Sequence, residues 1–351
     1  MSVFRPNAVS LRKVWLAGCA GLIAVLAGSG PGAAAGGTLE AIRKRGHLVC
    51  GVSEGTIGFS QANDKGIWSG LDADFCSAVA AGVLGNKDLV KFRPLTVADR
   101  FRALQAGEVD VLARSTTWTL SRDTEFGIRF AGVLFYDGQG FLVRRSQALT
   151  SVLELSGATI CSLAGSSGEQ TVADYFTLRH MRYLMVTATR WDDLVKAYAG
   201  DRCTLLSSDI SSLALEREHL ANPADHMLLP ELISKEPMGP AVKQGDEQWF
   251  SIVRWTLMAL IQAEELGLTS ANVDEQRSLP QADIRRFMGT DSNPGQGLGL
   301  ANDWTYQVVK QVGNYGELFE RNLGVKSPLK LERGINDLWT RGGLMYAAPF
   351  R

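Results

Sequence analysis

The chain of 351 residues is short of several things, and each scarcity removes a class of function. Its 36 Lys+Arg against 37 Asp+Glu leave a formal net charge of −1. No basic excess is present to neutralise phosphates, so no nucleic-acid partner is expected. The four histidines are scattered and make no metal-ligand spacing, so neither a metal nor another cofactor is expected. There is no Gly-x-Ser-x-Gly elbow, no phosphate loop and no dinucleotide fingerprint, and no His lies close in sequence to a candidate Ser or Cys. Paired acids do occur, Asp72/Asp74 and Asp192/Asp193, but at helix starts, where they cap and complement the dipole. No catalytic set emerges, and the reading is of a protein that is not an enzyme. No later segment approaches the run of about 20 apolar residues that a membrane span needs.

What is present begins with a leader. Arg5, Arg12 and Lys13 precede an apolar run from Val14 to Leu26, then small residues ending Ala33-Ala34-Ala35. A charged segment, a short apolar segment and an A-x-A site predict a signal peptide over 1–35, cut after Ala35, and a periplasmic protein. A lipoprotein-like Leu16-Ala17-Gly18-Cys19 lies inside it, but only Val14 and Trp15 separate it from the last charge, too few for an apolar core of about 7 residues or more. Removal of 35 residues leaves 316, more than one core usually serves, so two lobes are expected. Cys50, Cys76, Cys161 and Cys203 remain, an even number in an exported protein, which favours disulfides. One bridge per lobe, 50–76 and 161–203, is the simplest of three connectivities.

Strand and helix signals alternate from 39 to 143, which predicts an α/β layer with a largely parallel sheet. The grammar returns downstream. Phe101, Leu104, Gly107 and Asp110 are spaced by threes, as are Leu194, Ala197, Gly200 and Cys203, displaced by 93 residues. Each unit reads as a helix, a Gly stop, a strand and a polar loop. Gly140–Arg145 and Met238–Lys243 read as extended crossovers, giving one lobe over 36–142 with 243–351 and a second over 143–242.

Loops at the carboxyl ends of strands are the usual ligand positions in open α/β sheets. Four carry suitable groups. Residues 115–123, Ser-Thr-Thr-Trp-Thr-Leu-Ser-Arg-Asp, pair hydroxyls with Arg122, whose guanidinium can fork onto a carboxylate. A Ser/Thr-rich turn with Arg122 paired to Asp123 or Glu125 is the plainer alternative. Residues 164–169, Ala-Gly-Ser-Ser-Gly-Glu, place Ser166 and Ser167 at a helix start that favours an anion; Ser166-x-x-Glu169 is equally a capping box. Ser207-Ser208-Asp209 offers an acceptor for an ammonium, or an N-cap. The loop 53–59 supplies Glu54. Together these complement a zwitterion, spread over two lobes.

A series of segments carries a closer likeness: Cys50–Val52, Trp68–Cys76 (WSGLDADFC), Thr116–Asp123 (TTWTLSRD), Phe130–Gly132, Tyr136–Phe141 (YDGQGF), Ile233–Pro237 (ISKEP), Ser270–Glu275 (SANVDE) and Lys310–Glu317 (KQVGNYGE). In this order they resemble the polar amino acid-binding proteins of ABC importers, the extracellular solute-binding proteins of family 3, and within them the general L-amino acid-binding subgroup. The likeness spans essentially the whole chain beyond the leader.

The resemblance implies a two-lobe, type II periplasmic binding fold with two crossover strands and a ligand cleft between the lobes. By position it implies that Arg122 clamps an α-carboxylate with Thr117 and Ser167 assisting and Ser166 alongside, and that Ser115 and Asp209 take the α-ammonium. Free L-amino acids would be the ligands, over a broad range, with delivery to inner-membrane permease subunits by a monomer. Two positions depart from the pattern. Val97 stands where binders of basic amino acids place an aromatic wall, a role Trp118 is expected to take over. Ser53 stands where some relatives use Asp for cationic side chains, although Glu54 is adjacent. An enzyme on the same scaffold, such as a dehydratase of an aromatic amino-acid precursor, would need a positioned acid or base, for which only Glu54 and Asp209 are candidates.

Overall fold

A computed structural model describes residues 37–351. The expected leader over 1–35 and its cleavage point lie outside the described residues.

The first helix, Thr38–Arg45, ends at Gly46 in the left-handed region (φ 77°), the stop its spacing predicts. It leads into β1 (Leu48–Val52). A short hairpin, β2 (Gln61–Ala62) and β3 (Trp68–Ser69), precedes the helix Leu71–Leu84. Next come β4 (Val90–Pro94), the helix Arg100–Gln105, β5 (Val111–Leu112), the helix Leu120–Glu125 and β6 (Ile128–Phe130). β1 pairs in parallel with β4 on one side and β5 on the other. After β7 (Phe135–Asp137) the chain builds a second sheet from β8 (Gln139–Arg144), β9 (Ala158–Leu163), β10 (Tyr183–Ala188), β11 (Leu205–Asp209) and β12 (His226–Leu228), in the order β10-β9-β11-β8-β12. It returns through β13 (Glu236–Met238) to β14 (Ala241–Lys243), which completes the first sheet in the order β4-β1-β5-β14-β6.

The two passes between the sheets are β7 and β13. They pair antiparallel as a ribbon, Asp137 opposite Glu236 and Phe135 opposite Met238. Residues 140–145 and 238–243 were expected as the crossovers; most of them instead lie in β8 and β14, one in each sheet. Phe141, Leu142 and Val143 are fully buried, which is the behaviour of an inner strand rather than a connector. Beside the ribbon, Gly239 runs so close to Gly132 that a Cβ there would lie 1.8 Å from the Gly132 carbonyl oxygen. Only glycine fits such a backbone crossing.

Both sheets are covered on both faces. The helices Thr38–Arg45, Leu71–Leu84, Glu247–Glu265, Trp304–Val312 and Tyr315–Asn322 form one large core on the first sheet, and Leu95, Leu104 and Phe130 form the other. Phe141, Ile160 and Phe176 fill one side of the second sheet, Leu142, Leu194 and Leu206 the other. Each lobe carries one disulfide. Cys50–Cys76 ties β1 to the helix Leu71–Leu84, and Cys161–Cys203 ties β9 to the residues before β11. The internal echo survives with a shift of one residue: Gly107 turns the first unit at φ 70°, whereas in the second Gly200 stays at φ −89° and Asp201 takes φ 60°. Among the described residues no helix is long and apolar enough to cross a membrane.

Candidate functional site

The four loops singled out by sequence follow β1, β5, β9 and β11, the carboxyl ends of strands in both sheets. A cavity of about 350 Å³ lies against the loops after β1, β5 and β11 and the end of β9 at Leu163; the first lobe gives it Glu54, Arg114 and Ser115 and the second gives Arg190, Trp191 and Asp209.

In the loop after β5, Thr119 caps the helix Leu120–Glu125 by accepting the Arg122 N–H at 3.3 Å. That fixes the helix start and holds Arg122 inward, 8% exposed, its guanidinium donating to the Thr117 carbonyl at 2.9 Å. Burial lowers the Arg122 pKa, while the charges of Glu236 and Asp209 oppose the shift. The alternative, a surface pairing of Arg122 with Asp123 or Glu125, does not form. Ser115 adopts φ 44°, and both its N–H and its hydroxyl donate to Asp72 Oδ2, at 2.7 and 2.8 Å. The Ser115 hydroxyl hydrogen is therefore committed, which leaves its oxygen able to act only as an acceptor toward a further partner, and Ser115 lines the cavity. Asp72, expected as a helix cap, is instead buried beneath this loop, and burial pushes its pKa up to about 6.

In the second lobe, Gly165 (φ 70°) turns the chain after β9, and Ser166 caps the helix Ser167–Leu178 by accepting the Glu169 N–H at 3.1 Å. The capping box is displaced by one residue, because the Glu169 carboxylate takes the Gly165 N–H at 2.7 Å. Ser167 stands on the first turn, where N–H groups have no intrahelical acceptor. Its hydroxyl donates to Glu236 Oε2 at 2.9 Å, and Thr117 of the other lobe donates to the same oxygen at 2.5 Å. Thr117 and Ser167 lie 3.2 Å apart. A buried carboxylate on the β7–β13 ribbon thus gathers one hydroxyl from each lobe.

Asp209 ends β11 at the N-cap position of the helix Ile210–His219, yet its side chain makes no cap bond. It keeps part of its surface on the cavity. The protein packed round it raises its pKa well above the ordinary carboxylate range, the negative charges of Asp137 and Glu236 add to the rise, and Arg122 opposes it. Asp137 is pushed up to about 6, chiefly by burial. Two further arginines stand close. Arg114 lines the cavity and burial lowers its pKa to about 10. Arg100 is buried over the Phe101 ring, and its Nε has no hydrogen-bond partner. Burial, with Arg114 and Arg122 nearby, holds its pKa well below the usual value.

Glu54 reaches across the cleft to Arg190 at 3.2 Å. Val97 is buried, within 3.7 Å of where a Cβ on Gly165 of the opposite lobe would lie. Trp118, expected as an aromatic wall, stacks its ring on Phe130 at 5.9 Å and donates its backbone N–H to the Pro237 carbonyl, while the indole that lines the cavity is Trp191. Of the residues singled out by sequence, Glu54, Ser115 and Asp209 line the cavity, Thr117 and Ser167 meet at Glu236, Arg122 is buried against the Thr117 carbonyl, and Ser166 caps its helix. Sequence reasoning missed Asp72, Arg100, Arg114, Asp137, Glu236, Arg190 and Trp191. Arg114 had a signal, since it immediately precedes Ser115 in a loop already chosen. Asp137 and Glu236 had a weaker one, as polar residues in segments that carry the family likeness. Among the described residues no group of His, Cys, Asp or Glu is arranged to hold a metal.

Residues 48–271 match the bacterial extracellular solute-binding proteins, family 3. The chain is 50% identical over 324 residues to the general L-amino acid-binding periplasmic protein AapJ of Rhizobium johnstonii, covering 92% of this chain and 95% of that one. It is 44% identical over 342 residues to the glutamate/glutamine/aspartate/asparagine-binding protein BztA of Rhodobacter capsulatus, covering 97% and 100%. Among solved structures it is similar to an ABC transporter periplasmic binding protein from Brucella ovis with glutathione bound, at a TM-score of 0.88 and 49% identity over 90% of this chain and 100% of that one. A match across most of the chain, on a two-sheet fold whose lobes meet at a polar cleft, places the protein: it belongs to the bacterial extracellular solute-binding proteins, family 3.

Proposed function

We propose that this chain is the periplasmic substrate-binding component of an ABC importer, capturing free L-amino acids of broad range and delivering them to membrane permease subunits. The observation that carries the reading is the split of charge across the cleft. Arg122 of the first lobe and Asp209 of the second are near enough to shift each other's titration, yet no ion pair joins them. An α-carboxylate on Arg122 and an α-ammonium on Asp209 and the Ser115 oxygen would fill that interval. The hydroxyls of Thr117 and Ser167 go to Glu236, so their part in holding the carboxylate falls to backbone N–H groups, with Ser166 fixing the helix start. An acceptor atom on a ligand side chain would give Arg100 its missing partner. These anchors read what all α-amino acids share, which supports a broad range.

A ligand that touches both lobes stabilises the closed form by its differential affinity. The lobes hinge at the β7–β13 ribbon. The two disulfides, the 1–35 leader and the name of AapJ support a periplasmic location. The protein acts as a monomer and binds without transforming, for Asp209 has a sufficient role as an acceptor. Calorimetry with a panel of L-amino acids tests this, with mass spectrometry of the released ligand. Expected are binding across chemical classes, recovery of unchanged ligand, and roughly a 100-fold or greater loss in Arg122→Ala, since the variant leaves a buried carboxylate unpaired. No binding by the wild type, or no loss in the variant, would sink the proposal.

A further inference from the structure

The cavity extends beyond Ser115 and Asp209 to Gln61, Arg190 and His219. At about 350 Å³ it reaches the size of pockets that enclose drug-sized ligands, and its lining there combines these polar residues and Glu54 with the apolar Ile57, Leu163 and Leu215. Trp191 stands as a fixed wall there, its indole N–H donating to Glu216 at 2.8 Å. Beside it, Arg190 and Glu54 pair across the cleft with 54% and 31% of their side chains exposed. A pair that exposed contributes about 0–1 kcal/mol, so either partner exchanges readily for a group on a ligand.

The anchors restrict what fills this extra space. Arg122 asks for a carboxylate and Asp209 for an ammonium on one carbon. A peptide joined by ordinary α-amide bonds cannot offer both, because its first residue has no α-carboxylate and its last has no α-ammonium. A peptide joined through a side-chain carboxyl keeps both on its first residue. Resting on the amino-acid reading above, we propose that the cleft also takes γ-glutamyl peptides, with the free head on the anchors and Arg190 reading the distal carboxylate while Glu54 accepts a peptide N–H. Glutathione, bound in the Brucella ovis relative, belongs to this chemical class.

Calorimetry on the chain lacking residues 1–35 tests this with L-glutamine, with γ-glutamyl-alanyl-glycine (which has no thiol to attack the disulfides) and with its α-linked isomer. The γ-linked tripeptide is expected to bind. The α-linked isomer should be roughly 100-fold weaker, since buried Arg122 then faces a neutral amide. In Arg190→Gln the ratio of tripeptide Kd to glutamine Kd should rise about tenfold, the worth of one charge-assisted hydrogen bond. Glutamine binding without the γ-linked tripeptide overturns this inference and leaves the amino-acid reading standing. Equal binding of the two isomers also overturns it, and an unchanged ratio in Arg190→Gln overturns the part given to Arg190. Failure of both glutamine and tripeptide to bind overturns the amino-acid reading itself.

Discussion

Asp209 sits where proton and ligand compete. Its raised pKa means that the unliganded site holds a proton to higher pH than an exposed carboxylate would. An ammonium favours the ionised form, so binding near neutral pH should release protons. Affinity should fall as pH drops, beginning well above the ordinary carboxylate range of about 4. Calorimetry at pH 7.5 and 5, in buffers of different ionisation enthalpy, reads both effects, and Asp209→Asn should remove the proton release. Asp72 supports a related expectation about stability. Its folded pKa of about 6 exceeds the ordinary value of 3.8, so the folded chain binds that proton more tightly than the unfolded chain. The sign is therefore a contribution present at low pH and lost as pH rises from about 4 through 6. Asp72→Asn should accordingly show a smaller drop in melting temperature between pH 5 and 7.5 than the wild type; an equal drop would remove Asp72 as the cause.

Between residue and molecule, the deciding elements are the helix start at Ser166 and the hinge ribbon. Ser166→Ala removes the acceptor of the Glu169 N–H and should cost about 1 kcal/mol in denaturant unfolding. Gly239→Ala drives a methyl into the Gly132 carbonyl and should cost about 2 kcal/mol or more, spreading the ribbon. These two elements were unequally legible in the sequence. The capping pattern and the strand–helix alternation are local signals, and the β9 bounds at Ala158–Leu163 follow them directly. β10 was not read: Tyr183–Ala188 is an edge strand with no fully buried residue, and its apolar run Tyr183–Val186 is only four residues long, without alternation or a turn signal to mark it. The hinge was read a few residues late, because Gly140–Val143 and Ala241–Val242 are as extended and apolar as a crossover would be. Which sheet each of them joins is a matter of long-range pairing. The site divides in the same way. Arg122, Thr117 and Asp209 stand in loops with readable chemistry, whereas Asp72 reaches Ser115 across 43 residues and Glu236 reaches Thr117 across 119.

At the scale of the whole molecule, each lobe has its own two-faced core and its own disulfide. The bridges close segments of 26 and 42 residues, each worth about 4 kcal/mol on the chain-entropy account. Replacing Cys161 and Cys203 by Ala should lower the melting of the second lobe selectively and split a single calorimetric transition into two. Closure of one lobe on the other should appear as a smaller radius of gyration in X-ray scattering when L-glutamine is added, and an unchanged radius would count against hinge motion on binding. The placement of the anchors has a further consequence. Asp209 and Ser115 belong to the cavity wall, whereas Arg122 and Thr117 do not. On the proposed anchors, a bound ligand would direct its ammonium to Asp209, its carboxylate to Arg122 and its side chain into the cavity, along three separate directions. Three fixed directions about a tetrahedral carbon determine its handedness. A D-amino acid would satisfy any two of them but drive its third substituent into protein, so a cleft proposed to accept many side chains should still be strict about which mirror image carries them.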